Sequence, residues 1–447
     1  MRRIPRTSTR PEPVEAERRG LLGRSSRPLL LAMVGVRVAI LVITIAVSDE
    51  RPILDGDIRR FEEIATTDGT PYRDFPTEYA PVETLVIRAL GGDGLPATVT
   101  RVAVVWFVCD LATAAALGWA WGMGTATTYL VLGLPLLTQM SLRLDPLVIV
   151  LAVAGFALAR RGRERTGGVV LAVAVLTKVW PVFLVPALLI DRRRRALVWF
   201  VGAMVAGGVA WMAVSGIDAP RQVVSFRGAT GWHIESAIGL AIWIVTGGPT
   251  RGELGAIRVG TMPSWARAGL GLATIGILVA VWTTASRRRR TAQPLGRPAV
   301  AALAGAVVAS PVWAGHYVSW LLPWGAVAAG ERSGRSTART LFAVSLLTAF
   351  VGATLDFGDW NAAGAHIPVI KVALVAIHLL LATLVLGWVL RRHDTTRASR
   401  ASGSGAPIAA VDGREVPTSS EAGPPELQFL PRDAETMASG LETKEPE

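Results

Sequence analysis

Charged residues are scarce in this chain of 447 amino acids: they make up 18% of it, while hydrophobic residues make up 51%. A soluble chain of this length has about a quarter of its residues charged and divides into two or three domains. The apolar residues here lie in long blocks, and the mean hydropathy is +0.43. Low charge and long apolar blocks exclude a soluble enzyme and a wholly disordered protein, and they indicate a chain embedded in a bilayer.

The sequence has one cysteine and three lysines. Cys109 cannot form an internal disulfide, which excludes a secreted disulfide scaffold, and its apolar surroundings indicate a small buried hydrophobe. The net charge of +12 therefore comes almost wholly from arginine. Arginines cluster at the ends of apolar blocks, as in Arg192–Arg195 and Arg287–Arg290. This is the positive-inside pattern and not a basic face for phosphates, so we expect no nucleic-acid partner.

The charge distribution also predicts an orientation in the membrane. Residues 1–27 carry eight arginines without the apolar core of a secretory signal, so we assign them as a basic cytoplasmic segment. The apolar run 28–47 is then a retained first helix that crosses outward. The polar stretch 48–96 and a second loop, 217–263, are expected on the outer side. Residues 393–447 hold too few hydrophobes to offset the entropy of ordering, and are expected to be a disordered cytoplasmic tail.

Two apolar blocks have basic residues at both ends and a break in the middle. The first block, 167–190, is interrupted at residues 178–181, where a proline breaks the helical ladder. The second block, 297–330, is interrupted at residues 310–317. A single span cannot place both of its ends inside, so each block is predicted to be a hairpin of two short helices. Irregular backbone at membrane depth needs surrounding protein or a wet cavity, so the two breaks predict one shared cavity that faces outward.

The chain is therefore predicted to be an all-α polytopic membrane protein with about ten to twelve membrane helices over residues 28–392. The two broken hairpins also allow a weak inverted repeat, which keeps a lipid or solute transporter as an alternative. A purely structural scaffold is a third alternative, and it leaves the lysine at the first break unexplained.

Ionisable residues at membrane depth are costly, so each one needs a reason. Lys178 lies at a helix break, where its ammonium group could hold a phosphate or, alternatively, reach towards the interface. Arg143 and Asp145 lie in a very short outer turn; either they pair to fix the turn, or Arg143 contacts an anion while Asp145 orients it. Arg37 and Asp110 lie within spanning blocks, where they are expected to hold helices together.

The first outer loop is acidic and begins directly after the first span. Asp55 and Asp57 lie where lipid head groups meet water, so a carboxylate there could be a general base for a hydroxyl that arrives at the membrane surface. An Asp-x-Asp pair could also ligate a divalent cation, and it is common in solvated turns. Further candidates in the second outer loop and the second break are Arg227, His233, Glu235 and His316.

The order of these motifs along the chain resembles the GT-C glycosyltransferases, most closely the mannosyltransferases of glycosyltransferase family 87 from actinobacteria. The resemblance runs over roughly residues 30–390. The motifs that carry it are Asp57 with Phe61, Gly69–Asp74, Glu78–Pro81, Arg143 with Asp145, Lys178–Pro181, Ile234–Ser236 and Ser310–Tyr317. Three residues depart from the family pattern: Phe61 replaces a tyrosine, Ala80 a proline and His316 a glutamine.

The resemblance implies a membrane glycosyltransferase that moves a sugar, mannose in the first instance, from a polyprenyl-phosphate carrier to a lipid-linked or cell-envelope glycan acceptor. The reaction would take place on the outer, periplasmic face. It would invert the anomeric centre, with Asp57 as the base and Asp55 in reserve. A polyprenyl-phosphate-arabinose-dependent arabinosyltransferase is the near alternative.

The resemblance also assigns roles to the remaining candidates. The groups expected at the donor phosphate are Lys178, Arg143, His316 and Arg227. The groups expected at the acceptor or the sugar are Glu78, Tyr79, His233 and Glu235. We expect no cofactor and no metal, because a monophosphate leaving group needs less charge neutralisation than a nucleotide diphosphate.

The predicted orientation can be tested by cysteine labelling with a membrane-impermeant reagent in a chain that lacks Cys109. Thr67→Cys, in the first outer loop, should be labelled in intact cells. Ser402→Cys, in the tail, should be labelled only after the cells are opened. Labelling of Ser402→Cys in intact cells, or none of Thr67→Cys, would reverse the orientation.

Overall fold

The computed structural model describes residues 13–47, 56–225, 229–253, 256–289, 293–331, 334–356 and 367–390. All of them belong to one of the two units into which the chain divides, Met1–Arg391. Four features of the sequence analysis lie outside the described residues: residues 1–12 of the basic segment, Asp55, Arg227 and the tail 393–447.

The described residues form 17 α-helices and one small sheet, so the predicted all-α polytopic fold is confirmed. In chain order the helices are α1 (Pro13–Ala46), α2 (Gly56–Thr66), α3 (Pro81–Leu90), α4 (Leu95–Trp121), α5 (Met123–Leu132), α6 (Leu137–Met140), α7 (Asp145–Arg160), α8 (Glu164–Thr177), α9 (Pro186–Ile190), α10 (Arg194–Ser215), α11 (Ala219–Ser225), α12 (Ala237–Thr246), α13 (Ser264–Arg287), α14 (Arg297–Ala309), α15 (Leu322–Ala329), α16 (Arg335–Asp356) and α17 (Ile367–Val389).

Six of the described helices are long and apolar enough to cross a membrane, which makes the chain a membrane protein. A helix needs about 20 apolar residues to span the hydrocarbon core. The six candidate spans are Pro28–Ala46 within α1, the whole of α4, α10, α13 and α17, and Arg335–Thr354 within α16. The other crossings expected from the sequence coincide with shorter helices.

The two broken hairpins are present where the sequence places them. In the first, α8 ends at Thr177, a 3₁₀ turn follows over Trp180–Leu184, and α9 completes the return. In the second, α14 ends at Ala309, and a 3₁₀ turn over Gly315–Leu321 leads into α15. The 14 residues of α8 reach only about 21 Å, less than the hydrocarbon core, so its C-terminal end stops within the fold.

Helix α8 reaches the centre of the molecule between α7 and α10, against which it packs closely. A Cβ atom on Gly168 would lie 2.2 Å from the carbonyl oxygen of Ala196, so the backbones of α8 and α10 meet without a side chain between them. Glycine is required where two backbones approach this closely. This contact fixes the position of α8 relative to α10, and therefore the position of the break that follows α8.

A buried ion pair attaches the first span to the rest of the fold. Arg37 on α1 is fully buried and donates from Nε to Asp110 on α4. Its other nitrogens donate to the carbonyl oxygens of Met33 and Leu130, at 3.1 and 3.0 Å. The hydroxyl of Tyr129 on α5 donates to the same carboxylate at 2.6 Å. The prediction that Arg37 and Asp110 hold helices together is confirmed.

The segment 217–263 contains a small antiparallel sheet that its sequence does not predict. Its strands are β1 (Trp232–His233), β2 (Thr250–Glu253) and β3 (Ala256–Val259), in the order β1-β3-β2. Strands of two to four residues are too short to show an alternating pattern in the sequence. Arg258 on β3 is buried and donates to the carbonyl oxygen of Gly231 at 3.1 Å, which ties the sheet to the segment before β1.

The ion pair of the first span predicts a marked asymmetry between single and double variants. Asp110→Leu leaves the buried guanidinium of Arg37 without its carboxylate and should destabilise the fold by about 3–5 kcal/mol. The double variant Arg37→Met/Asp110→Leu removes both charges and should recover most of that loss. Thermal unfolding of the detergent-solubilised protein measures the difference. Equal stability of the single and double variants would show that the pair is not the anchor of α1.

Candidate active site

The first break brings a lysine and an aspartate together inside the protein. Lys178 follows the last residue of α8 in an extended conformation, with φ of −157° and ψ of 137°. Its ammonium group donates to Oδ1 of Asp145 on α7 at 2.9 Å. The Asp145 side chain is only 3% exposed and that of Lys178 is 23% exposed. The pair is therefore well shielded from water but keeps an opening on the lysine side.

The same aspartate also binds the second break. Trp320, in the 3₁₀ turn of the second hairpin, donates from Nε1 to Oδ1 of Asp145 at 2.6 Å. The imidazole Nε2 of His316 lies 3.6 Å from the other carboxylate oxygen. The two breaks are predicted to share one outward-facing cavity; the structure shows that Asp145 contacts residues of both breaks.

Aromatic rings form one side of the lysine's surroundings. Trp180 from the first break stacks on Trp320 with ring centroids 5.3 Å apart, and Trp320 stacks on Tyr317 at 4.1 Å. The ammonium of Lys178 lies 5.7 Å from the Tyr317 ring centroid and 5.8 Å from that of Trp320. Aromatic faces attract a cation at this distance. The rings therefore stabilise the lysine charge without taking up its hydrogen-bond donors.

A second cation and a second acid form an ion pair beside this site. Asp57, in the first turn of α2, forms an ion pair with Nη1 of Arg143, which lies just before α7. These side chains are about one third exposed, at 36% and 32%. Arg143 and Asp145 are two residues apart, yet each contacts its own partner from a different part of the chain. These ion pairs connect each of the two residues to a part of the chain outside the turn.

Hydrophobic burial fixes the place of α2, and so of Asp57. Ile58, Phe61 and Ile64 on α2 are buried in a cluster that includes Ile87 of α3. Glu62 on the other side of the helix accepts hydrogen bonds from the amides of residues 92 and 94, at 3.0 and 2.8 Å. These contacts join α2 to the connection between α3 and α4, and they hold its N-terminal end beside Arg143.

The structure adds a carboxylate that the sequence analysis did not select. Glu83, in the first turn of α3, is 2% exposed, and its Oε1 lies 4.0 Å from the ammonium of Lys178. Burial raises the pKa of Glu83 to about 7; Lys178 opposes this rise, and Asp145 adds to it. A signal was present in the sequence, because Glu83 and the buried Ile87 are four residues apart and so share one face of a helix.

Two candidate sugar contacts, Glu78 and Tyr79, interact with other residues of their own segment, 48–96. Glu78 accepts from Arg60 at 3.4 and 3.2 Å. The ring of Tyr79 packs edge-on against Phe61 with centroids 5.6 Å apart. Its carbonyl oxygen accepts from the hydroxyl of Tyr72 at 2.7 Å. These contacts shape the loop that carries the acids into the site.

Among the candidates of the segment 217–263, Glu235 contacts the second break, and His233 lies two residues before it. Glu235 accepts the backbone N–H of Gly315 at 3.0 Å, at the start of the 3₁₀ turn that carries His316. His233 on β1 is buried, and burial lowers its pKa to about 4. A histidine held neutral in this way can still form hydrogen bonds. Glu235 thus positions the backbone of the break, and the small sheet positions Glu235.

The fold and the site together define a polytopic membrane protein whose broken hairpins enclose paired acids and cations. The family model of glycosyltransferase family 87 matches residues 79–311, just over half of the chain, and the chain belongs to this family. No curated protein matches it. The protein is thus a glycosyltransferase, with a sugar donor and an acceptor. The matched segment contains Arg143, Lys178 and Glu235, whereas Asp57 and His316 lie outside it.

Proposed function

We propose that the protein transfers mannose from a polyprenyl-phosphate carrier to a lipid-linked or cell-envelope glycan acceptor. Membership of the family supports glycosyl transfer over transport. The observation that carries the rest is the presence of two acid–cation pairs, Asp57 with Arg143 and Asp145 with Lys178, whose members Arg143 and Asp145 are two residues apart in the chain. One acid can take the proton of the acceptor hydroxyl, while the cations can stabilise the charge of an anionic donor. We infer further that residues 28–392 form a GT-C-like domain, with the site outside and both termini in the cytoplasm.

The proposed reaction is a single displacement at the anomeric carbon. The acceptor oxygen attacks this carbon, and its proton passes to Asp57. The bond from the carbon to the phosphate oxygen breaks, and the electron pair leaves with the polyprenyl phosphate. Attack from the face opposite the leaving group inverts the centre, so one base is sufficient and no covalent intermediate forms.

The cations are assigned to the charge that develops on the leaving phosphate. Lys178 is the first of them because its aromatic neighbours leave ammonium hydrogens available beyond the bond to Asp145. Arg143 is the second. In its pair with Asp57 the guanidinium occupies the carboxylate that must receive the acceptor proton. We infer that the donor phosphate draws Arg143 away from Asp57 and so makes the base available.

If Lys178 contacts the donor phosphate, removing its charge should raise the donor KM, and removing the charge of Asp145 as well should not restore it. A hydrogen bond to a charged group contributes about 1.5–3 kcal/mol, so Lys178→Ala should raise the donor KM roughly tenfold to hundredfold. Lys178→Arg should be only partly tolerated, because a planar guanidinium differs in shape and hydration from an ammonium. Lys371→Ala is the matched control, since Lys371 also packs on an aromatic ring, Trp243, at 4.3 Å, and it should keep the wild-type KM.

The double variant Lys178→Ala/Asp145→Asn distinguishes this role from a purely structural one. If Lys178 only neutralises the buried Asp145, the double variant should regain both stability and donor use. If Lys178 contacts the phosphate, the double variant should regain stability while its donor KM stays high. Initial rates with varied polyprenyl-phosphate mannose, together with thermal unfolding, give both quantities.

The role of Asp57 predicts a loss of turnover without a loss of donor binding. Asp57→Asn keeps the size of the side chain but cannot accept the proton, and general-base assistance is typically about 10²–10⁴-fold. Turnover should therefore fall by at least about a hundredfold. Asp93→Asn is the control, because Asp93 is an exposed acid of the same outer loop that pairs with Arg101. Asp55→Asn should cost less than Asp57→Asn. Turnover within a few-fold of wild type for Asp57→Asn would remove it as the base.

A further inference from the structure

Glu83 is a buried carboxyl group next to the proposed donor site that the reaction described above does not use. It lies 4.0 Å from the ammonium of Lys178, which also donates a hydrogen bond to Asp145. The charged and titratable groups that act on it, or on which it acts, come from α7, the end of α8, the first outer loop and the second break. These groups are Asp145, Lys178, Glu78, Tyr72 and Tyr317.

Two carboxyl groups therefore share one ammonium at this position. The charged form of Asp145 is the better stabilised of the two, because it accepts hydrogen bonds from Lys178 at 2.9 Å and from Trp320 at 2.6 Å. Glu83 is farther from the cation. A donor phosphate would bring a third anion to the same ammonium, and like charges at such distances disfavour ionisation of the least supported group. The group that loses its charge is then Glu83, and its pKa, raised by burial to about 7, lies in the range where this can happen.

We propose that Glu83 is a positioning residue of the donor site, and that Lys178 binds the donor phosphate at full strength only when the Glu83 carboxyl group carries a proton. As a carboxylate, Glu83 competes for the ammonium and repels the phosphate. As a neutral acid, it leaves Lys178 to Asp145 and the donor. This inference rests on the proposed function, in which Lys178 contacts the donor phosphate.

Because full donor binding requires the protonated form of Glu83, the direction in which donor affinity changes with pH is determined. Donor affinity is highest at pH values below the pKa of Glu83 and falls as the pH rises through it. The steepest change for a single proton is about tenfold in the dissociation constant per pH unit. Above this pKa, donor binding takes up a proton from solution.

The test compares donor binding by the full chain in lipid nanodiscs between pH 6 and pH 9. The probe is polyprenyl-phosphate mannose, a phosphodiester whose single negative charge stays constant over this range. Wild type and the control Asp68→Asn, which alters an exposed acid of the same loop, should bind progressively more weakly at high pH. Glu83→Gln should bind with a nearly constant dissociation constant, close to the wild-type value at low pH. Glu83→Asp keeps a titratable carboxyl group and should keep a pH dependence.

If Glu83→Gln does not fold, a measurement on the wild type alone tests whether Glu83 takes up a proton when the donor binds. Calorimetric titration at pH 8 in buffers of different ionisation enthalpy counts the protons taken up, and we expect close to one per donor bound. Uptake of no proton, or a wild-type pH profile in Glu83→Gln, would overturn the role of Glu83. The second outcome would instead assign the pH dependence to a group other than Glu83. If Lys178→Ala binds the donor as tightly as wild type, the proposed phosphate contact itself is wrong, which is a separate result.

Discussion

The hydrogen bond between Lys178 and Asp145 is the contact on which the rest of the site depends. Removing two charges from water is expensive, and the cost is recovered only where each charge has good partners. Asp145 has the ammonium and the indole of Trp320, and Lys178 has two aromatic faces in addition to the carboxylate. These contacts join the start of α7, the first break and the second break. Together with the stacking of Trp180 on Trp320, they hold the two segments of irregular backbone against each other.

Pairing also explains how a site for an anion can exist before the anion arrives. The two cations, Lys178 and Arg143, each have an acid partner, so the described site has no large excess of positive charge. Under the proposed function, an arriving phosphate would exchange partners with the acids. In the proposed mechanism this exchange has a consequence at each pair: Asp57 becomes available as a base, and Glu83 takes a proton. Donor binding and preparation of the base would thus be one event.

The sequence predicts the helices of this fold well because their signals are local. Proline and flanking arginines mark the breaks at residues 178–181 and 310–317, and both are found there. The partners across the fold have no local signal. Asp145 is 33 residues from Lys178 and 175 from Trp320, and only the packing of the hairpins brings them together. For this reason the sequence left open whether Arg143 pairs with Asp145 or contacts an anion, and it passed over Glu83, whose burial depends on how α3 docks.

The two acids of the site differ in how they are held, and the difference matches what each must do. Asp145 is fixed by charge and is 3% exposed, as a group must be if it is to hold a cation at one position in a low dielectric. Asp57 is fixed indirectly, by the apolar face of α2, and its side chain is 36% exposed. A base for an acceptor that arrives from outside has to be reached, and afterwards it must return its proton to water. In the proposed mechanism, the buried pair on one side and the accessible acid on the other would therefore give the donor and the acceptor separate approaches to one reaction centre.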